Sequence, residues 1–290
     1  MRAPRRTAIS AAIRSRTAAS PGSGPISSTP FRTRSEPLPE RRAGAFFGRR
    51  VGKPLKPSQQ AALTRHLPGL RLDPQTPPPV RAAALFPRPV ERIQLEIGTG
   101  GGEHLLACAA ADPGAGFIGV EPFVAAFAKG VQALGEAGLT NVRLYDDDAV
   151  PLLDWLPPGQ IAEVDLLYPD PWPKRRHWKR RFVNPDNLDR ICRLLVPGGL
   201  FRFASDLPSY VDWTLATVEA HGVLAWTAET ADDWRRPWPG WPGTRYEAKA
   251  LAAGRRPTYL TFRLPAQDDR PAQDDRKDRA EGGRPGGTTR

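Results

Sequence analysis

The stretch Leu95-Glu96-Ile97-Gly98-Thr99-Gly100-Gly101-Gly102-Glu103 constrains this chain more than any other. The run from Ile93 to Ile97 reads as a strand. It feeds into glycines at the alternate positions Gly98, Gly100 and Gly102, and Glu103 to Ala111 then reads as a helix. A strand, a tight turn and a helix in that order make a nucleotide-binding corner. Glycine takes backbone angles closed to other residues and lets a ligand approach the main chain. The first turn of the helix adds unpaired N–H groups and a partial positive charge. The spacing is G-x-G-x-G, because Glu103 and His104 follow Gly102, and so it departs from the dinucleotide G-x-G-x-x-G. The next apolar run, Gly116 to Val120, ends in Glu121. A carboxylate about 20 residues beyond such a turn is placed to hold a ribose diol. An adenosine-containing cofactor is expected.

Downstream, strand and helix patterns alternate, which predicts a mainly parallel sheet with helices on both faces. Strands are expected at 92–97, 116–121, 141–145, 164–168, 200–204 and 258–264. Helices are expected at 102–111, 122–138 (opened by Pro122), 149–156, 184–196 (capped by Asn184, closed by Gly198-Gly199) and 208–220. Residues 234–241 read as a Trp- and Pro-rich loop.

Charge separates the ends from the middle. Residues 1–56 hold 13 Lys and Arg against 2 Asp and Glu, the same excess of eleven that the whole chain carries. This predicts a basic arm on a neutral body, an arrangement suited to a polyanion. Four segments follow. Residues 1–40 read as a disordered basic extension, although Arg and Ser without acid before Glu36 also suit a transit peptide. Residues 41–90 join an aromatic-basic segment around Phe46-Phe47-Gly48-Arg49-Arg50 to a Pro-rich linker at 73–90, with RNA contact expected. Residues 91–264 are expected to form the domain that binds the cofactor. Residues 265–290, with Pro-Ala-Gln-Asp-Asp-Arg repeated, read as a disordered tail. Two cysteines, Cys108 and Cys192, indicate a reducing compartment and no disulfide or zinc framework. No apolar run approaches the roughly 18 residues of a membrane span. A cytoplasmic protein with no membrane and no metal is expected.

In a doubly wound sheet, ligands sit beyond the C-terminal ends of the strands. Glu96, Glu121, Asp148 and Asp170 all fall at such ends. Any one of them could be a turn or cap residue, and Asp148 suits an N-cap. Together they are like charges that cost stability unless a cation or ligand balances them, and a sulfonium bearing ribose and adenine would do so. Next to Asp170 lies Tyr168-Pro-Asp-Pro-Trp172-Pro-Lys174-Arg-Arg-His-Trp-Lys-Arg-Arg181, with six cations in eight residues. Such cations suit phosphates, and a base can stack on Trp172.

At these residues a family resemblance emerges. Leu95-Glu-Ile-Gly98 with Gly100 and Gly102, Gly119-Val-Glu121, Asp148-Ala149, Pro169-Asp-Pro-Trp172 with Lys174 and Lys179-Arg-Arg181, and Thr244-Arg-Tyr-Glu247 resemble the bacterial tRNA (guanine-N7-)-methyltransferases. The likeness spans residues 45–264, and its Pro-Asp-Pro-Trp segment is the specific part. It implies a Rossmann-like class I methyltransferase with a seven-stranded sheet, S-adenosylmethionine as donor, and 7-methylguanosine in the tRNA variable loop, at guanine-46, as product. It implies cofactor contacts at Glu96, Gly98, Gly100, Glu121, Asp148 and Asp170, and a catalytic Asp170. It implies substrate contacts at Lys174, Asp206, Thr244, Arg245, Tyr246 and Glu247. Thr99 and Gly101 depart from the larger residues frequent in the family, and both terminal segments lie outside the likeness.

The chemistry agrees with that reading. Guanine N7 has a lone pair and no proton to lose, so positioning, worth roughly 7–11 kcal/mol, outweighs base catalysis. Asp170 or Glu247 would orient the guanine through its N1–H and N2–H₂. The rival readings are a class I methyltransferase acting on another RNA or on protein, a nicotinamide dehydrogenase, which the glycine spacing disfavours, and a non-catalytic RNA-binding relative. His104 is expected to be a plain first-turn helix residue, His66 a helix-surface or capping residue, and His177 a minor phosphate contact.

Overall fold

A computed structural model describes residues 46–266. The extension 1–40 and residues 267–290 of the expected tail lie outside the described residues. Seven strands form one sheet in the order β3-β2-β1-β4-β5-β7-β6. They are β1 (Arg92–Ile97), β2 (Ala115–Val120), β3 (Val142–Tyr145), β4 (Ile161–Leu167), β5 (Leu195–Ser205), β6 (Ala225–Trp226) and β7 (Thr258–Arg263). β1 to β5 pair in parallel, and β7 runs antiparallel to both of its neighbours. This is the Rossmann-like class I sheet expected. Strand order reverses between β1 and β4, so a crevice opens there at the C-terminal ends.

Side-chain alternation decides what covers each face. Ile93, Leu95 and Ile97, Val164 and Leu166, and Phe201 and Phe203 point to one side. There they pack on α4 (Ala149–Trp155), α5 (Pro185–Leu194) and α6 (Pro208–His221). On the other side, Phe117, Val142 and Leu144 pack on α1 (Pro57–Leu70), α2 (Glu103–Ala111) and α3 (Val124–Glu136). The alternate residues of the central strands are polar: Gln94 and Glu96, Glu163 and Asp165, and Arg202. The segment carrying α7 (Asp232–Arg235) and α8 (Arg245–Ala252) supplies Trp238, whose ring lies 5.2 Å from the Arg202 guanidinium.

Several expected boundaries move for identifiable reasons. α3 starts at Val124 rather than at Pro122, because Glu121 Oε1 accepts from Phe123 N and holds Phe123 extended. β5 starts at Leu195, paired with Ile161, and Pro197-Gly198-Gly199 form an irregular stretch inside it rather than closing the helix. β6 is two residues long and has no sequence period to detect. The Pro-rich stretch before β1 is packed: Ala82 and Phe86 are buried, and the Phe86 ring lies where a side chain on Gly116 would project. His66 is wedged in the same way against Gly135, between α1 and α3.

Candidate active site

The glycine turn is built as the sequence requires. Gly98, Gly100 and Gly102 have φ of 81°, 57° and 75°, values that any other residue would hold only under strain. At Gly98 an added Cβ would meet nothing within 4 Å, so open space lies over the turn. Gly98 N and Thr99 N both donate to Val120 O, at 2.8 and 3.0 Å, tying the turn to β2. Glu121 is buried and braces the same loop, accepting from Gly100 N at 2.7 Å and Phe123 N at 2.8 Å. Burial, with Asp170 and Glu96 nearby, pushes its pKa up. Each Glu121 oxygen keeps a second lone pair for a hydroxyl.

Asp148 caps α4, accepting from Val150 N at 3.1 Å, and its other oxygen accepts from Phe46 N at 2.7 Å. The N-terminal segment therefore crosses the rim. Arg50 pairs with Asp147, its carbonyl accepts from Val124 N, and Gly48 passes between the Phe46 ring and Asp170 Oδ2. Asp170 stands on a tight loop between two non-glycine residues at positive φ, Tyr168 at 49° and Trp172 at 40°. Backbone held in such regions concentrates at functional sites. The loop presents the Asp170 carboxylate outward, while crowding by its surroundings holds its pKa above the usual carboxylate range.

The substrate candidates divide by location. Thr244 caps α8, its Oγ1 accepting from Glu247 N at 3.0 Å. Arg245 and Tyr246 are exposed, with the guanidinium 5.2 Å from the Tyr246 ring centre and Lys249 Nζ 5.7 Å from it. Tyr246 also leans over the glycine turn, its Cε2 lying 3.8 Å from where a Gly100 Cβ would be. Glu247 is buried. Its carboxylate accepts from Trp241 Nε1 at 2.7 Å and Thr244 N at 3.2 Å and meets the Tyr259 hydroxyl. Asp206, after β5, pairs with Arg255 at 2.5 Å.

Lys174 is exposed at the N-cap of a tight 3₁₀ turn spanning Arg175–Arg180, and Arg175, Arg176 and Lys179 on the turn are exposed too. Arg181 departs from the expectation of six phosphate-facing cations. It is 1% exposed, donates to Ser209 O at 2.8 Å, and lies over Trp178 and Tyr210. Trp172 meets Phe47 and His177 edge-on, with Arg180 over its ring at 4.9 Å. Desolvation and the neighbouring cations lower the His177 pKa, so at neutral pH it adds little charge to this surface.

His104 is the residue that sequence reasoning missed. It is 7% exposed, and its Nδ1 lies 2.8 Å from Glu96 Oε2. Burial acts to lower its pKa, but hydrogen bonds to Cys108 and Glu96 outweigh it and raise it to about 11. Its only sequence signal was its place directly after the glycine turn.

A family model described as "Putative methyltransferase" matches residues 90–260. The tRNA (guanine-N(7)-)-methyltransferase of Azorhizobium caulinodans is 62% identical over 219 residues, covering 76% of this chain and 94% of that protein. The chain belongs to the tRNA (guanine-N(7)-)-methyltransferase family. The Rhizobium meliloti member is 59% identical over the same length, and that of a Chelativorans species is 58% identical over 228 residues, 98% of its own length. The matched residues 90–260 of this chain include the glycine turn, the rim carboxylates and the Asp170 loop. Among the described residues no helix is long and apolar enough to cross a membrane, and no group of three or more His, Cys, Asp or Glu is arranged to hold a metal ion.

Proposed function

We propose that this chain transfers a methyl group from S-adenosylmethionine to N7 of guanine-46 in the variable loop of cytoplasmic tRNA. The observation that carries the reading is the Asp170 loop, a carboxylate held out between Tyr168 and Trp172 with exposed cations following it. S-adenosylmethionine, when bound, supplies an electrophilic methyl on a sulfonium cation. The residues suit it. The open face of the glycine turn admits a ligand, Glu121 retains acceptors for ribose hydroxyls, and a positive charge would offset the burial and, behind it, the repulsion from Asp170 and Glu96 that raise the Glu121 pKa. Glu96, Asp148 and Asp170 would complete that wall.

Guanine N7 needs no base to remove a proton, so the work of this chain is orientation. Asp170 accepts from the guanine N1–H and N2–H₂ edge, which adenine lacks. Glu247 has its carboxylate engaged by Trp241, Thr244 and Tyr259, which favours Asp170 for that role. Lys174, Arg175, Arg176 and Lys179 receive phosphates, and Tyr246, flanked by Arg245 and Lys249, offers a stacking surface. The test is to incubate the protein with labelled S-adenosylmethionine and unmodified tRNA, digest the RNA and identify the labelled nucleoside. Label in 7-methylguanosine from the variable loop is expected. Label in another nucleoside would keep a methyltransferase and reject this substrate.

A further inference from the structure

Two residues outside the assigned site, His104 and Trp241, join its two halves. The His104 ring is anchored at one edge by Glu96 at 2.8 Å and reaches Cys108 Sγ at 3.4 Å with its other nitrogen. The ring also meets Trp241, tilted at 43° with ring centres 4.7 Å apart. Trp241 Nε1 donates to Glu247 Oε2 at 2.7 Å, and Glu247 closes a capping box with Thr244 at the start of α8. Tyr246, on the first turn of α8, leans back over Gly100. The contacts close a ring: glycine turn, α2, His104, Trp241, Glu247, α8 and the glycine turn again.

We propose that His104 is a positioning residue that couples the cofactor carboxylate Glu96 to the tRNA-facing start of α8 through Trp241 and Glu247, so that cofactor and tRNA bind cooperatively. The inference rests on the reading of this site as a tRNA methyltransferase. The charge logic is consistent. His104 is an imidazolium at neutral pH, donating from both nitrogens and presenting a desolvated cation to an indole, a contact that strengthens when water is excluded. The groups facing it are Glu96 on β1, Cys108 on its own helix, and the buried carboxylates Glu163 and Asp165 on β4. A change in the hold on Glu96 shifts the imidazole, the indole tilted against it, and the carboxylate that caps α8. By linkage, whatever tRNA does to cofactor affinity the cofactor does to tRNA affinity.

The test measures that coupling factor. Titration calorimetry gives the affinity for S-adenosylhomocysteine with and without unmodified tRNA, in the wild type, His104→Gln, Trp241→Phe and the double variant. In the wild type, tRNA is expected to tighten binding by about tenfold, within the usual span of coupling energies. Each single variant is expected to bring the factor below about twofold, and the double variant to lose no more than the worse single one, as for members of one network. Trp241→Phe keeps one aromatic ring, shortens the face and removes the N–H that Glu247 accepts, so it is expected to raise KM for tRNA with little change in kcat.

A residue that merely supports the fold would lower the unfolding temperature and leave the coupling factor intact. That result in folded His104→Gln protein, or a wild-type factor near one, overturns the proposal. If His104→Gln does not fold, Trp241→Phe decides it alone. Wild-type methyl transfer to tRNA is measured first. A wild type that methylates tRNA without coupling sinks the relay only, and one that transfers no methyl to tRNA sinks the functional reading and the relay with it.

Discussion

Asp170 shows how much of this site is carried by single residues. Tyr168 and Trp172, both at positive φ, hold its carboxylate out of the strand end. Asp170→Asn keeps the shape but replaces an acceptor with a donor, so kcat/KM for tRNA should fall about 10²–10³-fold, as when one preorganised hydrogen-bonding group is removed. Because desolvation by the groups crowded around it raises the Asp170 pKa, the acid limb of the rate profile should lie above the ordinary carboxylate pKa of about 4 and vanish in Asp170→Asn. Steady-state kinetics across pH reads both. His104 makes a separate prediction with the opposite sense. Its folded pKa of about 11 lies above the unfolded value, so its stabilising contribution is complete below about pH 6.5 and is lost as pH rises toward 11. Urea midpoints for the wild type should fall more between pH 6 and pH 10 than those of His104→Gln, and parallel curves would show that the imidazolium contributes nothing.

The basic run makes its prediction as an element. The 3₁₀ turn points Lys174, Arg175, Arg176 and Lys179 to solvent, while Arg181 turns inward beneath Trp178, Tyr210 and Trp213. Replacing the exposed cations by Ala should weaken tRNA binding and flatten its dependence on salt by about one unit of slope for each phosphate no longer neutralised. Arg181→Ala should instead lower stability, on the order of 2–4 kcal/mol, by removing buried hydrogen bonds and ring stacking, with the salt slope unchanged. Filter binding over a salt series, beside thermal unfolding, separates the two. The sequence could not show this division, because six like charges within eight residues look alike until a helix turn assigns their directions. It did reveal what is periodic. The alternation of strands and helices from β1 onward, the glycine turn and the carboxylates at strand ends follow from local pattern. β6, with two residues, has no period. The contacts of His104 with Trp241 and of Phe46 with Asp148 join residues remote in sequence, and no local pattern records them.

At the scale of the molecule, the N-terminal segment and the sheet rim form one surface. Phe46 N binds Asp148, Arg50 pairs with Asp147 and takes the N–H of Val124, and Phe47 meets Trp172, with Arg180 over both rings. The Phe123 ring lies where a side chain on Gly52 would project. The segment thus touches the loop after β2, the cap of α4 and the Asp170 loop, which are three walls of the proposed cofactor site. Residues 1–45 precede these contacts and carry much of the chain's excess positive charge. Two truncations therefore separate two roles. A chain beginning at residue 46 should keep its affinity for S-adenosylhomocysteine within about twofold, because the rim contacts remain, and should bind tRNA more weakly at low salt, where long-range charge matters most. A chain beginning at residue 53 loses the backbone donor to the buried Asp148 carboxylate and the ion-pair partner of the half-exposed Asp147. Its affinity for S-adenosylhomocysteine should fall about tenfold or more, at any salt concentration. Calorimetry at low and high salt measures both. If the shorter chain bound the nucleoside as tightly as the full one, the segment would be a neighbour of the site rather than part of its wall. If the longer chain already failed to bind, residues before Phe46 would belong to the site as well.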